Sequence, residues 1–289
     1  MTGGRSDVVR VAAVGDIHLG PDSHGLLRPA FETLHERADV LLLAGDLTCH
    51  GTVEEAEVVA GEVAGIEVPV VAVLGNHDYH SDQEEGVTET LRAAGVTVLE
   101  GSAAVLEIGG HRIGVAGTKG FCGGFAGRSA GEFGEPEMKS FVRYTRRSAD
   151  GLRRALGELA DDGCRVRIAL THFAPVPDTL AGEPPEIFPF LGSYLLAEAM
   201  DEGGADLAVH GHAHMGVEHG MTAGGIRVRN VAQPVIGRAY AVYHLPLDGK
   251  APADDGTTSA RDRLGAGASA GTGSLTPAGS RASAGDREP

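Results

Sequence analysis

Seven side chains of the kinds that bind metal ions each follow an apolar, strand-like stretch of the chain. They occur in five short motifs: Asp16-Ile17-His18, Gly45-Asp46, Gly75-Asn76-His77-Asp78, Thr171-His172 and Gly211-His212-Ala213-His214. The runs before them resemble buried parallel strands and span residues 8–14, 40–44, 70–74, 166–170 and 207–209. In open α/β sheets, ligands bind beyond the carboxyl ends of the strands, so the five motifs predict one pocket. Its carboxylate, imidazole and amide groups suit two cations.

No single motif establishes this pocket. The pair Asp16-x-His18 could hold one ion, but two polar residues after a strand are common. Asp46 ends an apolar strand, where a carboxylate is costly unless a cation pairs with it, but taken alone it is equally compatible with a helix N-cap or a turn. Asn76 is also a usual turn former, and a histidine such as His172 is more often a hydrogen-bonded core residue. The ordered set of two Asp, one Asn and four His is what predicts a metal site.

The mixture of ligand types favours particular cations and a particular reaction. Oxygen and nitrogen ligands together suit Mn²⁺, Fe²⁺/Fe³⁺, Zn²⁺ or Co²⁺ better than Ca²⁺ or Mg²⁺. Seven ligands exceed the roughly three of a catalytic zinc and fit two ions that share a carboxylate. Two ions roughly 3.5–4 Å apart deprotonate a bridging water near neutral pH and place it for in-line attack on phosphorus. We therefore expect two metal ions as cofactors and a bridging hydroxide as the nucleophile.

His77 and Asp78 follow Asn76 directly and are predicted to act on the substrate. An imidazole near a phosphoryl group can protonate the leaving oxygen or stabilise charge on the phosphorus oxygens. A neighbouring carboxylate can hold the tautomer of that ring and raise its basicity. We therefore assign Asp78 to the orientation of His77 and not to direct metal binding.

The motif order D-x-H, G-D, G-N-H-D, H and G-H-x-H resembles the calcineurin-like metallophosphoesterase superfamily, over residues 16 to 214. The resemblance implies a first metal ion bound by Asp16, His18, Asp46 and His214. It implies a second ion bound by Asp46, Asn76, His172 and His212, with Asp46 bridging. It also implies that His77 acts on the substrate and is oriented by Asp78. The fold that it implies is α/β, a four-layer αββα sandwich with two mixed β-sheets.

The elements that must position these motifs alternate in the first hundred residues. The strand-like runs are followed by helical patterns at residues 27–37, 52–64 and 83–94, the second with a capping-box start at Thr52. Right-handed crossovers would lay the first three strands parallel. Short strands are then expected at 97–99, 104–108 and 112–116, a helix at 138–160 and a short helix at 194–200. Residues 226–231 and 240–245 are predicted to be closing antiparallel strands.

Two long irregular loops, residues 117–133 and 173–190, leave from strands that belong to the predicted site. Loops of that length inside a compact domain are usually functional, so they are candidates for the walls that select the substrate. In the first loop, Lys119 could contact a phosphate and Phe121 or Phe125 could pack a base or an acyl chain. His50, after Gly45-Asp46, is a similar candidate. Solvated or purely packing roles are equally compatible with these residues.

Composition divides the chain into a catalytic domain at residues 1–248 and a tail at residues 249–289. The tail is rich in Gly, Ala, Ser, Thr and Pro and lacks aromatic and β-branched aliphatic residues, so we expect it to be disordered. The net charge of −16 argues against nucleic acid as a partner, which calls for a basic surface. A basic cluster at residues 143–154 is better explained as a solvated helix face.

The cellular setting is predicted from further absences in the sequence. Cys49, Cys122 and Cys164 are far apart and form no CxxC pair, which favours a reducing compartment. We expect no signal peptide and no transmembrane helix, because no apolar stretch is long enough. The predicted location is therefore the cytoplasm, with no membrane partner.

The leading hypothesis is a binuclear metal-dependent hydrolase that acts on small-molecule phosphomonoesters or phosphodiesters. One alternative is a DNA-processing nuclease of the same superfamily, which the acidic body disfavours. The other is a non-catalytic scaffold that keeps the fold for protein binding, which would have been free to lose the ligands that this chain retains. The sequence leaves the substrate, the metal identity and the oligomeric state undetermined.

Overall fold

The computed structural model describes residues 8–247 of the chain. Within this range the strands form two large sheets and a two-stranded ribbon. In chain order they are β1 (Val8–Val14), β2 (Val40–Ala44), β3 (Val70–Val73), β4 (Thr97–Val98), β5 (Ser102–Ile108), β6 (His111–Thr118), β7 (Gly124–Phe125), β8 (Arg128–Ser129), β9 (Val166–Thr171), β10 (Leu207–His210), β11 (His219–Met221), β12 (Arg227–Asn230) and β13 (Ala241–Pro246).

The helices lie between these strands and are mostly short. They are α1 (Arg28–Phe31), α2 (Val53–Val63), α3 (Glu84–Ala93), α4 (Pro136–Asp161), α5 (Phe188–Leu191), α6 (Tyr194–Gly203) and α7 (Gln233–Ile236). Four 3₁₀ turns join them in the described range, at Leu34–Glu36, His77–Tyr79, Pro177–Leu180 and Pro185–Ile187. Thr52 caps α2, because its side chain accepts from the Glu55 amide while the Glu55 side chain accepts from the Thr52 amide.

Both large sheets are mixed, and their central strands are parallel. The first sheet has the order β13-β1-β2-β3-β4, in which β1 to β4 are parallel and β13 runs antiparallel to β1. The second sheet has the order β11-β12-β10-β9-β6-β5. There β6, β9, β10 and β12 are parallel, and the outer strands β5 and β11 are antiparallel to their neighbours.

Alternate side chains of each central strand enter different apolar cores, which explains why these strands are apolar throughout. In β1, Val9, Val11 and Ala13 pack against the second sheet. The intervening Ala12 and Val14 pack against α1, α2 and α3. The outer face of the second sheet packs against α4 and α6. The layers are therefore helices, sheet, sheet and helices, which confirms the predicted four-layer αββα sandwich.

The structure corrects several local predictions. The helix expected at 27–37 is broken into α1 and a 3₁₀ turn, because Thr33 leaves the helical region at φ −100° and ψ 11°. The loop expected at 117–133 contains the ribbon β7–β8. The strand expected at 226–231 pairs parallel with β10 and not only antiparallel, because the unpredicted strand β11 takes the antiparallel position beside it. With only three residues, β11 is too short to show a periodic pattern.

Among residues 8–247, no helix combines the length and apolarity needed to cross a lipid bilayer. The predicted domain boundary at 248/249 and the tail at 249–289 lie outside the described residues. That division of the chain stays a prediction.

Candidate metal centre

All five motifs lie at the carboxyl ends of parallel strands, three in the first sheet and two in the second. Hydrogen bonds join these strand ends to one another. The Asp16 amide donates to the carbonyl of Gly45 at 2.9 Å, and the His212 amide donates to the Asp16 carboxylate at 2.9 Å. The His172 ring nitrogen Nδ1 donates to the carbonyl of Ala44, also at 2.9 Å. The ends of both sheets therefore meet at one place, as the sequence predicts.

Four of the seven predicted ligands form a first cluster. Asp16, His18, Asp46 and His214 each offer one ligand atom, and these atoms lie within 4.8 Å of one another. Nε2 of His18 is 3.8 Å from Oδ2 of Asp46, and Nε2 of His214 is 2.8 Å from Oδ1 of Asp16. The cluster is of a size that one metal ion can occupy.

A second cluster shares Asp46 with the first. Asp46, His172 and His212 offer ligand atoms that also lie within 4.8 Å of one another. Nε2 of His172 is 3.3 Å from Oδ1 of Asp46 and 2.9 Å from Oδ1 of Asn76, which adds the amide oxygen to this cluster. The structure thus brings all seven predicted residues together in two groups joined by one carboxylate.

The hydrogen bonds of His172 test whether a cation fits the second cluster. Nδ1–H donates to the Ala44 carbonyl, so Nε2 of the neutral ring carries a lone pair. That lone pair faces an oxygen of Asn76 and an oxygen of Asp46, both of which are acceptors. Three acceptors that face one another inside a protein need a cation between them. The donor set fits a metal ion.

His18 gives the same indication for the first cluster. Its Nε2 is buried and has no hydrogen-bond partner among the described residues. A buried ring nitrogen without a partner is costly, and a metal ion would satisfy it. Since Oδ2 of Asp46 lies 3.8 Å from it, the unpartnered atom faces the carboxylate that both clusters share.

Strained backbone is concentrated at the same residues. Five non-glycine residues in the described range have positive φ, and four of them are Asp16 (57°), His18 (42°), Asp46 (50°) and His212 (71°). Each such conformation costs of order 1–3 kcal/mol and persists only where the surroundings hold it. The strain is therefore confined largely to the predicted ligands.

Burial sets the protonation states of these ligands. It raises the pKa of Asp16 to about 6, against the hydrogen bond from His214, which lowers it. Burial lowers the pKa of His18 to about 4 and that of His212 to about 3, and it lowers the pKa of His172 well below its usual value. The hydrogen bond to Asp16 raises the pKa of His214. Three of the four imidazoles are thus neutral at pH 7, the form that binds metal.

Glycines let the backbone approach the two carboxylates. A Cβ atom on Gly75 would collide with Oδ1 of Asp46, and one on Gly211 would collide with Oδ2 of Asp16. These are the glycines that begin the third and fifth motifs. Their role is steric, and their place at the start of these two motifs was the signal in the sequence.

The structure places His77 and Asp78 differently from the predicted pair. His77 is exposed, its amide donates to Oδ1 of Asp46 at 2.8 Å, and its Nδ1 donates to the Cys49 carbonyl at 2.7 Å. Asp78 is completely buried, and its carboxylate accepts hydrogen bonds from Leu47, Thr48 and Gly75, not from the His77 ring. The carbonyl of Cys49, which the sequence gives no reason to single out, therefore orients His77.

Solved structures share this fold at low sequence identity. Phosphopantetheinyl hydrolase from Mycobacterium tuberculosis has a TM-score of 0.56 and 17% identity, over 77% of this chain and 88% of that one. The protein TT1561 of Thermus thermophilus has a TM-score of 0.54 and 18% identity, over 83% and 95%. GAP50, the anchor in the inner membrane complex of Plasmodium, has a TM-score of 0.51 and 11% identity, over 83% and 81%. At these identities the likeness shows the fold.

A search of curated protein sequences finds no match to this chain. The sequence profile of the calcineurin-like phosphoesterase family, in contrast, matches residues 9–216 and so covers most of the chain and all five motifs. The chain belongs to the calcineurin-like phosphoesterase family.

Proposed function

We propose that this protein hydrolyses small-molecule phosphomonoesters or phosphodiesters at a centre of two metal ions. The observation that carries the proposal is the position of Asp46. Its Oδ2 faces His18 of the first cluster and its Oδ1 faces His172 of the second, at 3.8 and 3.3 Å. A carboxylate in that position can bridge two cations.

In this proposal each cluster holds one ion, and the ligands are those that the sequence predicts. The first ion is bound by Asp16, His18, Asp46 and His214. The second ion is bound by Asp46, Asn76, His172 and His212. The unpartnered Nε2 of His18 and the facing acceptors around His172 support this division. Mixed oxygen and nitrogen donors favour Mn²⁺, Fe²⁺/Fe³⁺ or Zn²⁺.

When bound, the two ions lower the pKa of water and neutralise charge on the phosphoryl oxygens. The chain itself supplies the proton at the other side of the phosphorus. His77 is exposed at the edge of the centre, and its ring lies 4.5 Å from the ring of His18. Because Nδ1–H donates to Cys49, the ring acts as an acid only when Nε2 is protonated too, and Nε2–H is then the donor to the leaving oxygen. Protonation of that oxygen makes the alcohol a better leaving group.

The proposal also covers the partner and the location of the protein. A net charge of −16 disfavours polynucleotides, since their binding depends on basic residues that displace counterions. A small phosphoester is therefore the proposed substrate. Cys49, Cys122 and Cys164 are unpaired, which supports a reducing, cytoplasmic setting.

Hydrolysis of para-nitrophenyl phosphate and of its bis-ester tests the function directly. We expect turnover that is lost on chelation and restored by Mn²⁺, with two metal ions per chain measured by elemental analysis. Asp46→Asn should lose both metal and turnover, because each ion loses a charged ligand. Asp39→Asn is the matched control, since Asp39 precedes the same strand at its opposite end and pairs with Arg10.

The control variant should keep wild-type metal content and turnover. Metal-replete protein without turnover on any member of a broad phosphoester panel would contradict the proposed function. Because the metal ions would still be bound in that case, the result would favour a non-catalytic scaffold.

A further inference from the structure

Lys119 follows strand β6 directly and is only 5% exposed. Its ammonium group lies over four aromatic rings, which we call the Lys119 cage. The distances from Nζ to the ring centres are 4.8 Å for Tyr79, 5.1 Å for Phe121, 5.4 Å for Phe173 and 5.5 Å for Tyr144. Cation–π contacts at these distances hold the ammonium group in one place.

No carboxylate of the described residues lies within 4 Å of this ammonium group to form an ion pair. Burial lowers the pKa of Lys119, and the more distant carboxylates of Glu100 and Asp46 oppose that shift without pairing with it. The Glu100 carboxylate is bonded to the same segment. It accepts hydrogen bonds from the Thr118 hydroxyl and from the Lys119 backbone amide, both at 2.8 Å. A largely buried cation is costly without an anion, and aromatic faces offset only part of that cost. An anionic ligand would complete the surroundings of Lys119.

The Lys119 cage adjoins the candidate metal centre. The carbonyl of Lys119 accepts hydrogen bonds from the amides of His172 and Phe173, at 3.0 and 3.1 Å. The ring of Phe173 lies 4.4 Å from the ring of His212. Tyr79, another ring of the cage, belongs to the 3₁₀ turn that begins with His77. The ammonium group is thus separated by one ring from two of the segments that carry predicted ligands.

A cleft of about 610 Å³ begins at the same cage. Phe121 and Tyr144 belong to both the cage and the cleft, and Phe141 lies 5.2 Å from Phe121. The remaining walls are Pro136, Glu137 and Ser140 from the first turns of α4. The predicted metal ligands do not line this cleft. The cleft is wide open to solvent, and its walls combine three aromatic rings with two polar side chains, so a flat ligand could lie against the rings.

We propose that Lys119 binds a phosphoryl oxygen of the substrate and that the cleft beside it binds the alcohol portion, for which a flat aromatic group is the best fit. This inference rests on the proposed phosphoesterase function and names the substrate class of that site. In a phosphoester, the anionic phosphoryl group and the alcohol portion are joined by one bond. The adjacent cage and cleft could therefore bind both portions of one substrate molecule. Stacking on Phe121, Phe141 and Tyr144 favours a flat ring over a sugar alone.

Adenosine 5′-monophosphate and ribose 5-phosphate test the cleft, because they present the same 5′ ester and differ in the base. We expect the wild-type protein with Mn²⁺ to prefer the nucleotide by at least about tenfold in kcat/KM, the gain of roughly one well-stacked ring. Tyr144→Ala and Phe141→Ala should each bring this ratio close to one. Met221→Ala is the control, because Met221 is an exposed apolar residue on β11, outside the cleft.

Binding of adenosine by calorimetry gives a readout that does not depend on catalysis or on the metal ions. The metal-free wild-type protein should bind adenosine, and both ring variants should bind it at least about tenfold more weakly. Circular dichroism checks that the variants are folded, and two separate ring variants keep the test valid if one of them is not.

Lys119→Met tests the phosphoryl contact, since methionine keeps the apolar stem within the cage. KM for both substrates and the inhibition constant of inorganic phosphate should rise about tenfold or more, the effect of losing one charge-assisted contact, while metal content and adenosine binding stay unchanged. Lys119→Arg should recover part of the phosphate affinity. A merely structural role for Lys119 would instead lower the melting temperature and leave the inhibition constant of phosphate unchanged.

The outcomes separate the two proposals. A wild-type protein that is active on para-nitrophenyl phosphate but has equal kcat/KM for nucleotide and sugar phosphate would overturn the cleft assignment alone. An unchanged ratio in both ring variants would also overturn the cleft assignment, and unchanged phosphate inhibition in Lys119→Met would overturn the phosphoryl contact. A metal-loaded wild-type protein that is inactive on every phosphoester would overturn the proposed function as well.

Discussion

Asp78 is a buried carboxylate that holds two loops of the centre together. It accepts hydrogen bonds from the amides of Leu47, Thr48 and Gly75 and from the Thr48 hydroxyl. These donors belong to the segments that follow β2 and β3, so Asp78 fixes Asp46 relative to the third motif. Burial raises the pKa of Asp78 to about 6, and the hydrogen bonds from Gly75 and Thr48 oppose that shift. We therefore expect Asp78 to position other residues.

His77 is the residue whose replacement should separate chemistry from metal binding. His77→Ala removes the ring but keeps the backbone amide that donates to Asp46. Since positioned general acids contribute about 10²–10⁴-fold, we expect turnover to fall at least about 100-fold with both metal ions retained. Steady-state kinetics and elemental analysis of the same preparation check this.

His80→Ala is the matched control for His77, because His80 is a second exposed histidine of the same segment. Its ring lies 6.1 Å from that of His50, and it is not part of either cluster. The control should keep wild-type turnover. Loss of metal in the His77 variant would contradict the role proposed for that residue.

At the scale of secondary structure, the site is built where parallel strands end in tight loops. The loop after β3 passes so close to Asp46 that only glycine fits at position 75. Helix α2, in contrast, lies on the outer face of the first sheet, and position 61 within it has open space for a side chain. The same substitution at positions 75 and 61 should therefore have opposite effects.

Gly75→Ala and Gly61→Ala make this comparison. Alanine at position 75 would collide with the Asp46 carboxylate, so we expect a loss of roughly 1–3 kcal/mol in unfolding free energy together with lost metal. Alanine at position 61 in α2 meets no atom within 4 Å and should stabilise the protein by about 0.5–1 kcal/mol. Urea unfolding and elemental analysis measure both. Equal effects of the two substitutions would refute this assignment of the loop.

At the scale of the whole molecule, metal binding should be linked to pH through the buried carboxylate of Asp16. Its pKa is about 6 in the folded state against an ordinary value of 3.8. The folded protein therefore keeps that proton to a higher pH than the unfolded protein does. The resulting stabilisation of the folded state is complete below a pH of 3.8 and is lost as the pH rises through about 6. A bound cation reverses this loss, because it pairs with the ionised carboxylate.

We therefore expect Mn²⁺ to raise the melting temperature more at pH 7.5 than at pH 5. His214, whose pKa is raised by Asp16, must also lose its proton, whereas His18 and His212 are already neutral throughout this range. Each tenfold gain in affinity adds about 1.4 kcal/mol of stability. Thermal unfolding with and without Mn²⁺ at several pH values measures this. A shift that is constant from pH 5 to 7.5 would contradict it.

The sequence by itself determined the strands that lead into the five motifs and the chemical types of the site residues. Fully buried parallel strands must be apolar throughout, which made the runs before the motifs visible, and the capping box at Thr52 is a local pattern. It did not determine β11, because three residues are too few to show a period. It did not determine the break at Thr33, because the helical pattern at residues 27–37 continues across it.

The tertiary structure decided which atoms face one another. The two oxygens of Asp46 are shared between the clusters because strand ends of both sheets converge there. The ring of His77 is set by a backbone carbonyl and not by its neighbour in the chain, Asp78. The Lys119 cage brings three rings from other segments, those of Tyr79, Tyr144 and Phe173, beside that of Phe121. Which atoms face one another depends on long-range packing. The types of the ligands and their spacing along the chain are local properties, so they can be read from the sequence.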